Sequence, residues 1–270
     1  MNSKIFDLSG KEIESIELPP VFNYPYRPEV IKKAFVNINT HHFQKQGRYP
    51  AAGEIVSAES RNTGLGIARL ARAKGEGFSR AGQAAGVGGV RKGRLTHPPE
   101  SWKVTYKKLN KKERIVALYS AISCTSNQEL ISSRGHLIEG VSSFPIILTD
   151  DVEKIHKTKN LSELLRVLGL AKDVERVERA VKKRSGKAKR RGRPSRVGKS
   201  VLIVVASQDC DLLKLDNSLP GVSIKSVKDL SIIDLAPGAR AIRLTLFSKS
   251  SLDSLKNMKV STYKLTDAQN

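Results

Sequence analysis

The feature that most constrains the fold of this chain is a glycine-rich, basic segment at residues 61–94, which reads RNTGLGIARLARAKGEGFSRAGQAAGVGGVRKGR. It contains nine glycines and eight Lys or Arg residues but only one acid, Glu76. Its apolar side chains are too few and too scattered to offset the conformational entropy lost when such a backbone is ordered. We therefore expect this segment to lack a packed core and to be disordered on its own.

The charge of segment 61–94 indicates a polyanionic partner. Its net charge is +7 over 34 residues, and a long loop inside a compact domain is usually either functional or a linker. A polyanion would order the segment on contact, and glycine would let backbone N–H groups approach phosphates closely. A disordered basic linker is the alternative interpretation.

A second basic run lies at residues 182–199 and reads KKRSGKAKRRGRPSRVGK, with ten basic side chains and no acid. The whole chain has 48 Lys or Arg and 26 Asp or Glu residues, and the two runs supply 17 of its 22 net positive charges. The rest of the chain is nearly balanced in charge. Basicity concentrated in two places is the electrostatic footprint of a nucleic-acid binder.

Part of the second run also allows a DNA-binding interpretation. Residues 191–194, Arg-Gly-Arg-Pro, match the core of an AT-hook, whose arginines enter the minor groove of A·T-rich DNA. Ten cations without interspersed acids nevertheless favour phosphate contact over base readout. The nearby GRPSRVGKS at 192–200 is not a P-loop, because five residues separate Gly192 from Gly198 and a strand pattern follows.

Outside the two basic runs, the sequence predicts one α/β domain with a mainly parallel sheet covered by helices. Residues 201–207, VLIVVAS, form an apolar run without alternation, which is typical of a buried parallel strand. Strand and helix patterns alternate after it. The predicted domain comprises residues 1–43 and 101–270. Residues 44–100 are predicted to be an extended loop inserted in it, and 182–199 a basic extension within the globular part.

Hydrophobic periodicity, turn residues and capping patterns place the other elements. The remaining predicted strands are residues 4–8 and 14–18, paired as a hairpin, and residues 144–148, 222–227 and 241–247. The predicted helices are residues 28–42, a helix entered at Asn110, a helix capped by Ser126 that stops near Gly135, a helix capped by Asn160 and closed by Gly169, residues 172–183, a possible helix at 211–218, and residues 250–257.

No residues combine into a catalytic or metal-binding pattern. The five histidines show no metal-ligand spacing, and no cysteine accompanies them. Acids follow two predicted strands, where an α/β enzyme keeps its chemistry, although capping of helices and pairing with lysines explain them equally well. These acids are Asp150, Asp151, Asp209 and Asp211. An α/β enzyme with a basic tail is therefore a third interpretation.

The cysteines and the N-terminal residues indicate the cellular compartment of the protein. Cys124 and Cys210 form no CxxC motif, which indicates reduced thiols in a cytosolic setting. The N-terminal residues lack an apolar core typical of a signal peptide, and no apolar stretch approaches the length of a membrane span. We expect neither secretion nor membrane insertion.

Aromatic residues are scarce, at 5% of the chain, so we do not expect a platform of many base-stacking rings. Phe78 and Trp102 are the aromatic residues nearest the basic residues of the loop. Two roles are open for Trp102. It either stacks on a base at the root of the loop or packs against the helices there.

Four parts of the sequence resemble those of a known protein family. They are NTGLGIARLARAKG followed by GVGGVRKGRLTHPP, then NKKERIVALYSAIS, then RSGKAKRRGR before a buried strand, and LAPG followed by RLTLFSKSSLDSL. These stretches resemble the ribosomal protein L-four family, the universal fourth protein of the large ribosomal subunit, in its archaeal and eukaryotic branch. The resemblance spans essentially the whole chain.

The resemblance implies an α/β domain on the outer surface of the subunit and a long loop driven through ribosomal RNA, with its tip in the wall of the nascent-peptide exit tunnel. Matched onto this sequence, the tunnel-lining candidates are Gly64, Gly66, Arg69, Arg72 and Lys74. It also implies early binding during subunit assembly, no catalytic residue, and no cofactor or metal. The implied partners are large-subunit ribosomal RNA, other large-subunit proteins and the nascent polypeptide, in the cytoplasm and away from membranes.

Charge and resemblance together predict that both basic runs bind RNA. The predicted RNA-binding residues are Arg61, Arg69, Arg72, Lys74, Arg80, Arg91, Lys92, Arg94, Trp102, Lys182, Lys183, Arg184, Lys187, Lys189, Arg190, Arg191, Arg193, Arg196 and Lys199. An AT-hook protein that binds DNA or chromatin is the main alternative.

Overall fold

The computed structural model describes residues 2–240 and 242–256. The chain divides into two compact units. One, which we call the α/β unit, comprises Met1–Asn39 and Lys107–Asn270. The other, which we call the inserted unit, comprises Thr40–Tyr106.

The described residues form ten strands and eight α-helices. The strands are β1 (Asn2–Phe6), β2 (Glu12–Glu17), β3 (Ala58–Ser60), β4 (Ala71–Ala73), β5 (Ile146–Leu148), β6 (Lys182–Lys183), β7 (Ser195–Arg196), β8 (Leu202–Val205), β9 (Ser223–Ser226) and β10 (Thr245–Ser248). The helices are α1 (Pro28–Asn39), α2 (Lys111–Ser123), α3 (Gln128–Ser133), α4 (Thr158–Val167), α5 (Ala171–Arg179), α6 (Gly186–Arg190), α7 (Ile232–Leu235) and α8 (Lys249–Lys256).

Six strands of the α/β unit form one sheet in the order β2-β1-β5-β10-β8-β9. Strand β1 pairs with β2 in antiparallel fashion, and the other neighbouring pairs are parallel. Ile147 packs on one face in a cluster with residues of α1, α2, α7 and α8, whereas Ile146 and Leu148 pack on the other face with residues of α3 and α4. Because both faces of the central strands are buried, β5 and β8 are apolar without alternation. The predicted α/β class with a mainly parallel, helix-covered sheet is confirmed.

The starts of three helices differ from the predicted capping pattern. Helix α2 begins after Asn110 as predicted, but the Asn110 side chain makes no capping hydrogen bond. The cap of α3 is Asn127 and not Ser126, because the Ser126 hydroxyl donates to the Ser123 carbonyl in the preceding turn. Helix α4 begins at Thr158, since the Leu161 N–H already bonds to the Lys157 carbonyl, so the predicted cap at Asn160 is wrong.

Other elements differ from the prediction in their extent. Helix α5 ends at Arg179 and not at residue 183, because Lys182 and Lys183 pair with β7. Strand β10 begins at Thr245, since the Arg243 N–H donates to the Leu235 carbonyl at the end of α7. The possible helix at 211–218 is a 3-10 turn at Asp211–Leu215. The predicted strand and helix ends at Ala241 and Asn257 lie outside the described residues.

We expect Asn127→Ala to lower the free energy of unfolding by about 1 kcal/mol, because Asn127 accepts the N–H groups of Glu129 and Leu130 at the start of α3. Urea unfolding followed by circular dichroism measures this change. Ser126→Ala serves as the control, since Ser126 does not cap the helix. An equal loss for both variants would contradict the assignment of the cap.

The inserted unit relies on backbone hydrogen bonds more than on a core. Strands β3 and β4 pair in antiparallel fashion, and residues 83–85 lie along the other side of β4. Along that side, the Ala73 N–H donates to the Gln83 carbonyl at 2.9 Å and the Ala85 N–H to the Ala71 carbonyl at 2.9 Å. Thr40 and Ala85 are its only buried residues. The segment 61–94 thus has more regular structure than its sequence predicts, and its disorder in isolation stays a prediction.

Candidate nucleic-acid interface

The second basic run folds as a hairpin, which we call the basic hairpin (residues 182–199). Lys182 pairs with Arg196 and Lys183 with Ser195, and helix α6 caps the turn between the two strands. Gly186 and Gly192 have φ values of +62° and +72°, a left-handed conformation that costs glycine little. The basic extension predicted from composition is therefore an ordered ribbon with a helical tip.

The cations of the basic hairpin face solvent. All ten Lys and Arg side chains are exposed except that of Arg184, which is half-buried. Elsewhere in the α/β unit many cations are paired, as Lys33 is with Glu113 at 2.7 Å. Within the described parts of the chain, no salt bridge joins a hairpin cation to a carboxylate. These charges are available to an external polyanion.

A buried polar cluster holds the C-terminal root of the basic hairpin. We call His136, Asp173 and Ser200 the root cluster. The Ser200 hydroxyl donates to Asp173 Oδ2 at 2.6 Å, and His136 Nδ1 lies 3.1 Å from the same oxygen. The Leu244 N–H donates to His136 Nε2 at 3.3 Å, so Nδ1 carries the proton and donates to Asp173. Ser200 directly follows the hairpin, so the cluster ties the hairpin to the α/β unit.

The remaining oxygen of Asp173 is also satisfied. Its Oδ1 accepts the Leu137 N–H at 3.0 Å and the Arg176 guanidinium at 3.0 Å. Burial by itself would raise the pKa of Asp173, but the hydrogen bonds from His136, Ser200 and Leu137 outweigh it and lower the pKa to about 2. Asp173 is therefore ionised at neutral pH, although its side chain is fully buried.

A fully buried arginine completes this anchorage. Arg243 donates through Nε to the Ser200 carbonyl at 2.5 Å, and through Nη2 to the carbonyls of Val201 at 2.9 Å and Gly221 at 2.7 Å. Burial lowers the pKa of Arg243 to about 10, so the guanidinium stays protonated at neutral pH. Lys199 lies at the same junction, where burial of its ammonium and then the charge of Arg243 lower its pKa.

In the inserted unit, the predicted site residues fall into two groups. Lys74 pairs with Glu59 at 2.7 Å, Arg94 pairs with Glu54 at 3.9 Å, and Arg72 donates to the Gly82 carbonyl at 3.0 Å. These three cations are engaged within the unit. The others form no salt bridge within the described residues, and they are Arg61, Arg69, Arg80, Arg91 and Lys92.

The turn between β3 and β4 is the most exposed stretch of the inserted unit. Every residue from 61 to 70 is exposed. Gly64 and Gly66 have φ values of +90° and +66°, and a Cβ on either would meet no atom within 4 Å. Of the five tunnel-lining candidates, Gly64, Gly66 and Arg69 lie in this turn, whereas Arg72 and Lys74 lie in or after β4.

Sequence reasoning missed how the aromatic residues are placed. Five of the chain's 14 Phe, Trp and Tyr residues lie in the inserted unit, and all five are exposed. They are Phe43, Tyr49, Phe78, Trp102 and Tyr106. Among the described residues of the α/β unit, Tyr26 is the only exposed Phe, Trp or Tyr residue. The signal in the sequence was the isolation of these rings among polar residues, and the side chain of Trp102, 64% exposed, is available for stacking.

Three of the four acids that follow predicted strands, all except Asp209, have structural partners in the described residues. Asp150 accepts the Ser250 N–H at 2.7 Å, Asp151 pairs with Lys154, and Asp211 pairs with Lys214. Glu153 accepts the Ala206 N–H at 2.8 Å. These contacts are the capping and pairing roles that the sequence left open, and they do not assemble a nucleophile, a base and a group that orients it.

We also compared the described residues with the features of metal-binding, membrane-spanning and disulfide-bonded proteins. Within residues 2–240 and 242–256, no three His, Cys, Asp or Glu side chains are grouped so that they could hold a metal ion. No helix in those two ranges is both long enough and apolar enough to cross a bilayer. Both cysteines are free thiols, and burial raises the pKa of Cys124 to about 11.

A helix-covered parallel sheet with a basic hairpin and a basic, ring-bearing insertion is typical of nucleic-acid-binding α/β proteins. The model of the ribosomal protein L4/L1 family matches residues 16–258. The chain belongs to this family, which confirms the resemblance seen in the sequence.

Individual relatives agree with the family match over nearly the whole chain. The large ribosomal subunit protein uL4 of Methanococcus vannielii is 41% identical over 257 residues, which cover 95% of this chain and 99% of the relative. Proteins of the same name from Methanocaldococcus jannaschii and Sulfurisphaera tokodaii are each 40% identical, over 95% and 93% of this chain and 98% and 92% of the relatives. These relatives are archaeal ribosomal proteins, and the chain is a ribosomal protein and not an enzyme.

Proposed function

We propose that this protein is a structural constituent of the large ribosomal subunit and that it binds large-subunit ribosomal RNA through two surfaces, the basic hairpin and the inserted unit. The observation that carries the proposal is the ordered ribbon of ten cations, nine of them exposed and none in a salt bridge within the described residues. Cations that neutralise phosphates release condensed counterions, so binding should weaken as salt rises. The name that the archaeal relatives share agrees with this function.

We infer different roles for the residues of the inserted unit. In this proposal the exposed turn at 61–70, with Gly64, Gly66 and Arg69, forms the tip that lines the exit tunnel and meets the nascent polypeptide. Arg72 and Lys74 instead hold the tip in place through Gly82 and Glu59. In this proposal residues 44–100 act as the extended RNA-binding loop and 182–199 as the basic extension. The protein joins the subunit early in assembly, next to other large-subunit proteins in the cytoplasm.

We expect deletion of residues 64–90 to leave the α/β unit folded while weakening incorporation of the protein into large-subunit particles. The deletion removes Ala85 but no other buried apolar residue, so the hydrophobic core remains intact. Differential scanning calorimetry tests folding, and sedimentation of assembled particles tests incorporation. A cooperative thermal transition with reduced incorporation is the expected result.

The control replaces residues 64–90 with an uncharged Gly/Ser segment of the same length. It separates the loss of specific contacts from the loss of chain length, and we expect it to be incorporated as poorly as the deletion variant. Full incorporation of both variants would contradict the proposed role of the loop. Loss of the thermal transition in the deletion variant would contradict a loop that projects from an independent core.

A further inference from the structure

We propose that the basic hairpin binds double-helical RNA through its phosphates and does not bind unpaired RNA through its bases. This inference rests on the proposed function and goes further by naming the form of RNA that one of the two surfaces takes. It concerns residues 182–199 alone. In this proposal, unpaired RNA is bound by the inserted unit.

The side chains of the basic hairpin cannot recognise unpaired bases well. Recognition of single-stranded RNA depends on aromatic rings that stack on bases and on polar groups that read base edges. The hairpin contains no aromatic residue and no Asn, Gln, Asp or Glu. Its only side-chain acceptors are the hydroxyls of Ser185 and Ser195. It therefore offers charge and donors, which suit the phosphates and 2′-hydroxyls of a duplex.

The backbone of the hairpin fixes some of its cations in a row. Lys182 lies opposite Arg196 in the β6–β7 pair, and the Arg184 N–H donates to the Pro194 carbonyl at 2.7 Å. Because side chains alternate along a strand, Lys182, Arg184 and Arg196 share one face of the ribbon. Opposite residues are about 5 Å apart and alternate residues about 7 Å apart. One face thus presents three closely spaced positive charges.

The row of cations is also held firmly at its base. The Ser200 hydroxyl bonds to buried Asp173, and its carbonyl accepts a hydrogen bond from buried Arg243. A preorganised array loses little entropy when it meets a partner whose charges are also fixed. The phosphates of a duplex keep fixed positions, whereas those of a single strand do not. Rigidity therefore favours the duplex as the partner.

The same backbone argues against an AT-hook at residues 191–194. An arm that follows a minor groove has to be extended, but here Arg191 caps the C-terminus of helix α6 and Gly192 is left-handed. The Arg193 N–H donates to the Ala188 carbonyl at 3.0 Å, which closes the tetrapeptide into the turn. The sequence match lies in a folded segment, so A·T-rich DNA is an outcome to be tested and not the proposed ligand.

The inserted unit provides an internal contrast. It carries five exposed rings and also the basic segment 61–94, and rings together with cations are the combination that binds unpaired nucleotides. Neutralising the hairpin face should therefore reduce binding to a duplex far more than binding to a single strand. This difference distinguishes a duplex-binding hairpin from a general attraction of positive charge to RNA.

The test uses the full-length protein and three probes of equal length: a mixed-sequence RNA duplex, one of its strands alone, and an A·T-rich DNA duplex. The variant combines Lys182→Gln, Arg184→Gln and Arg196→Gln. We expect its affinity for the RNA duplex to fall roughly 100-fold near physiological salt, and the slope of log K against log salt to fall by about 3, since three phosphate contacts are lost. Its affinity for the single strand should change less than threefold.

The matched control neutralises three exposed cations on and beside α4, with Lys157→Gln, Lys159→Gln and Arg166→Gln. It has the same net charge as the hairpin variant, and we expect less than a threefold loss for every probe. Equal losses for both variants would overturn the inference, because charge alone would then explain binding. Equal losses for duplex and single strand in the hairpin variant would also overturn it, as would tighter binding of the unsubstituted protein to A·T-rich DNA.

Incorporation into large-subunit particles separates this inference from the proposed function. If the unsubstituted protein is incorporated but the hairpin variant keeps its duplex affinity, the inference is wrong and the proposed function stands. If the unsubstituted protein is not incorporated, the proposed function fails regardless of its preference for duplex RNA.

Discussion

Substitution of Asp173 by alanine is expected to lower the free energy of unfolding by about 3–5 kcal/mol, because several buried groups lose their hydrogen-bond acceptor. Asp173 is fully buried and accepts hydrogen bonds from His136, Ser200, Leu137 and Arg176. Alanine would leave several buried donors without an acceptor, and it would also leave a cavity. Urea unfolding followed by far-ultraviolet circular dichroism measures the loss.

The control is Asp211→Ala, which removes an exposed carboxylate paired with Lys214 at 2.6 Å. Exposed ion pairs of this kind add little to stability because solvent screens them, so the free energy of unfolding should barely change. A loss of less than about 1 kcal/mol for Asp173→Ala would show that the root cluster does not stabilise the fold.

The same substitution should change how stability depends on pH. The hydrogen bonds overcome the effect of burial and lower the pKa of Asp173 from 3.8 to about 2 in the folded state. Ionised Asp173 therefore stabilises the fold fully above about pH 4, and this contribution is lost as the pH falls towards 2. Between these values the original protein should lose about 2 kcal/mol more than the Asp173→Ala variant. Parallel losses in both proteins would contradict the lowered pKa.

Substitution of Gly221 by alanine is expected to lower the free energy of unfolding by about 2–4 kcal/mol, through strain and overpacking. Gly221 has a φ of +76°, and a Cβ there would lie 2.8 Å from Val177 Cγ1. It would also lie 2.9 Å from the Gly198 carbonyl oxygen and 2.9 Å from the Ser200 nitrogen. Both contacts with the backbone lie at the root of the basic hairpin, so relief would have to move the hairpin strand.

The control for Gly221→Ala is Gly238→Ala. Gly238 has a φ of +84°, but a Cβ there would meet no atom within 4 Å. The control therefore carries the backbone strain without the close contacts, and we expect a loss of about 1 kcal/mol. Thermal and urea unfolding of the two variants give the comparison. An equal loss of unfolding free energy at the two positions would mean that the hairpin strand moves at no cost to accommodate the added methyl group.

Both predictions link stability to the proposed RNA surface. Asp173 and Gly221 contact Ser200 or its neighbours, where the basic hairpin rejoins the sheet. A variant that loosens this junction should also loosen the row formed by Lys182, Arg184 and Arg196. The buried polar groups of the α/β unit therefore support the position of charges that lie on its surface.

Much of the fold was predictable because its signals are local. The apolar run at 201–207 predicted a buried parallel strand, and β8 lies within it with every residue buried. The hairpin at the N-terminus, helix α1 and the strand at 144–148 were also found where periodicity placed them, within a few residues. Helix starts were less predictable. Ser126 and Asn127 both suit a cap, and only the preceding turn decides which side chain is free to cap the helix.

The sequence by itself determined where the positive charge lies and why a core is absent from residues 61–94, since composition fixes both the charge and the apolar surface available for burial. Only the tertiary structure decided which cations remain unpaired. Arg72 and Lys74 find partners through strand pairing, and Asp173 meets His136 and Ser200 across 37 and 27 residues of chain. Such contacts depend on the packing of distant segments, and no local pattern of residues encodes that packing.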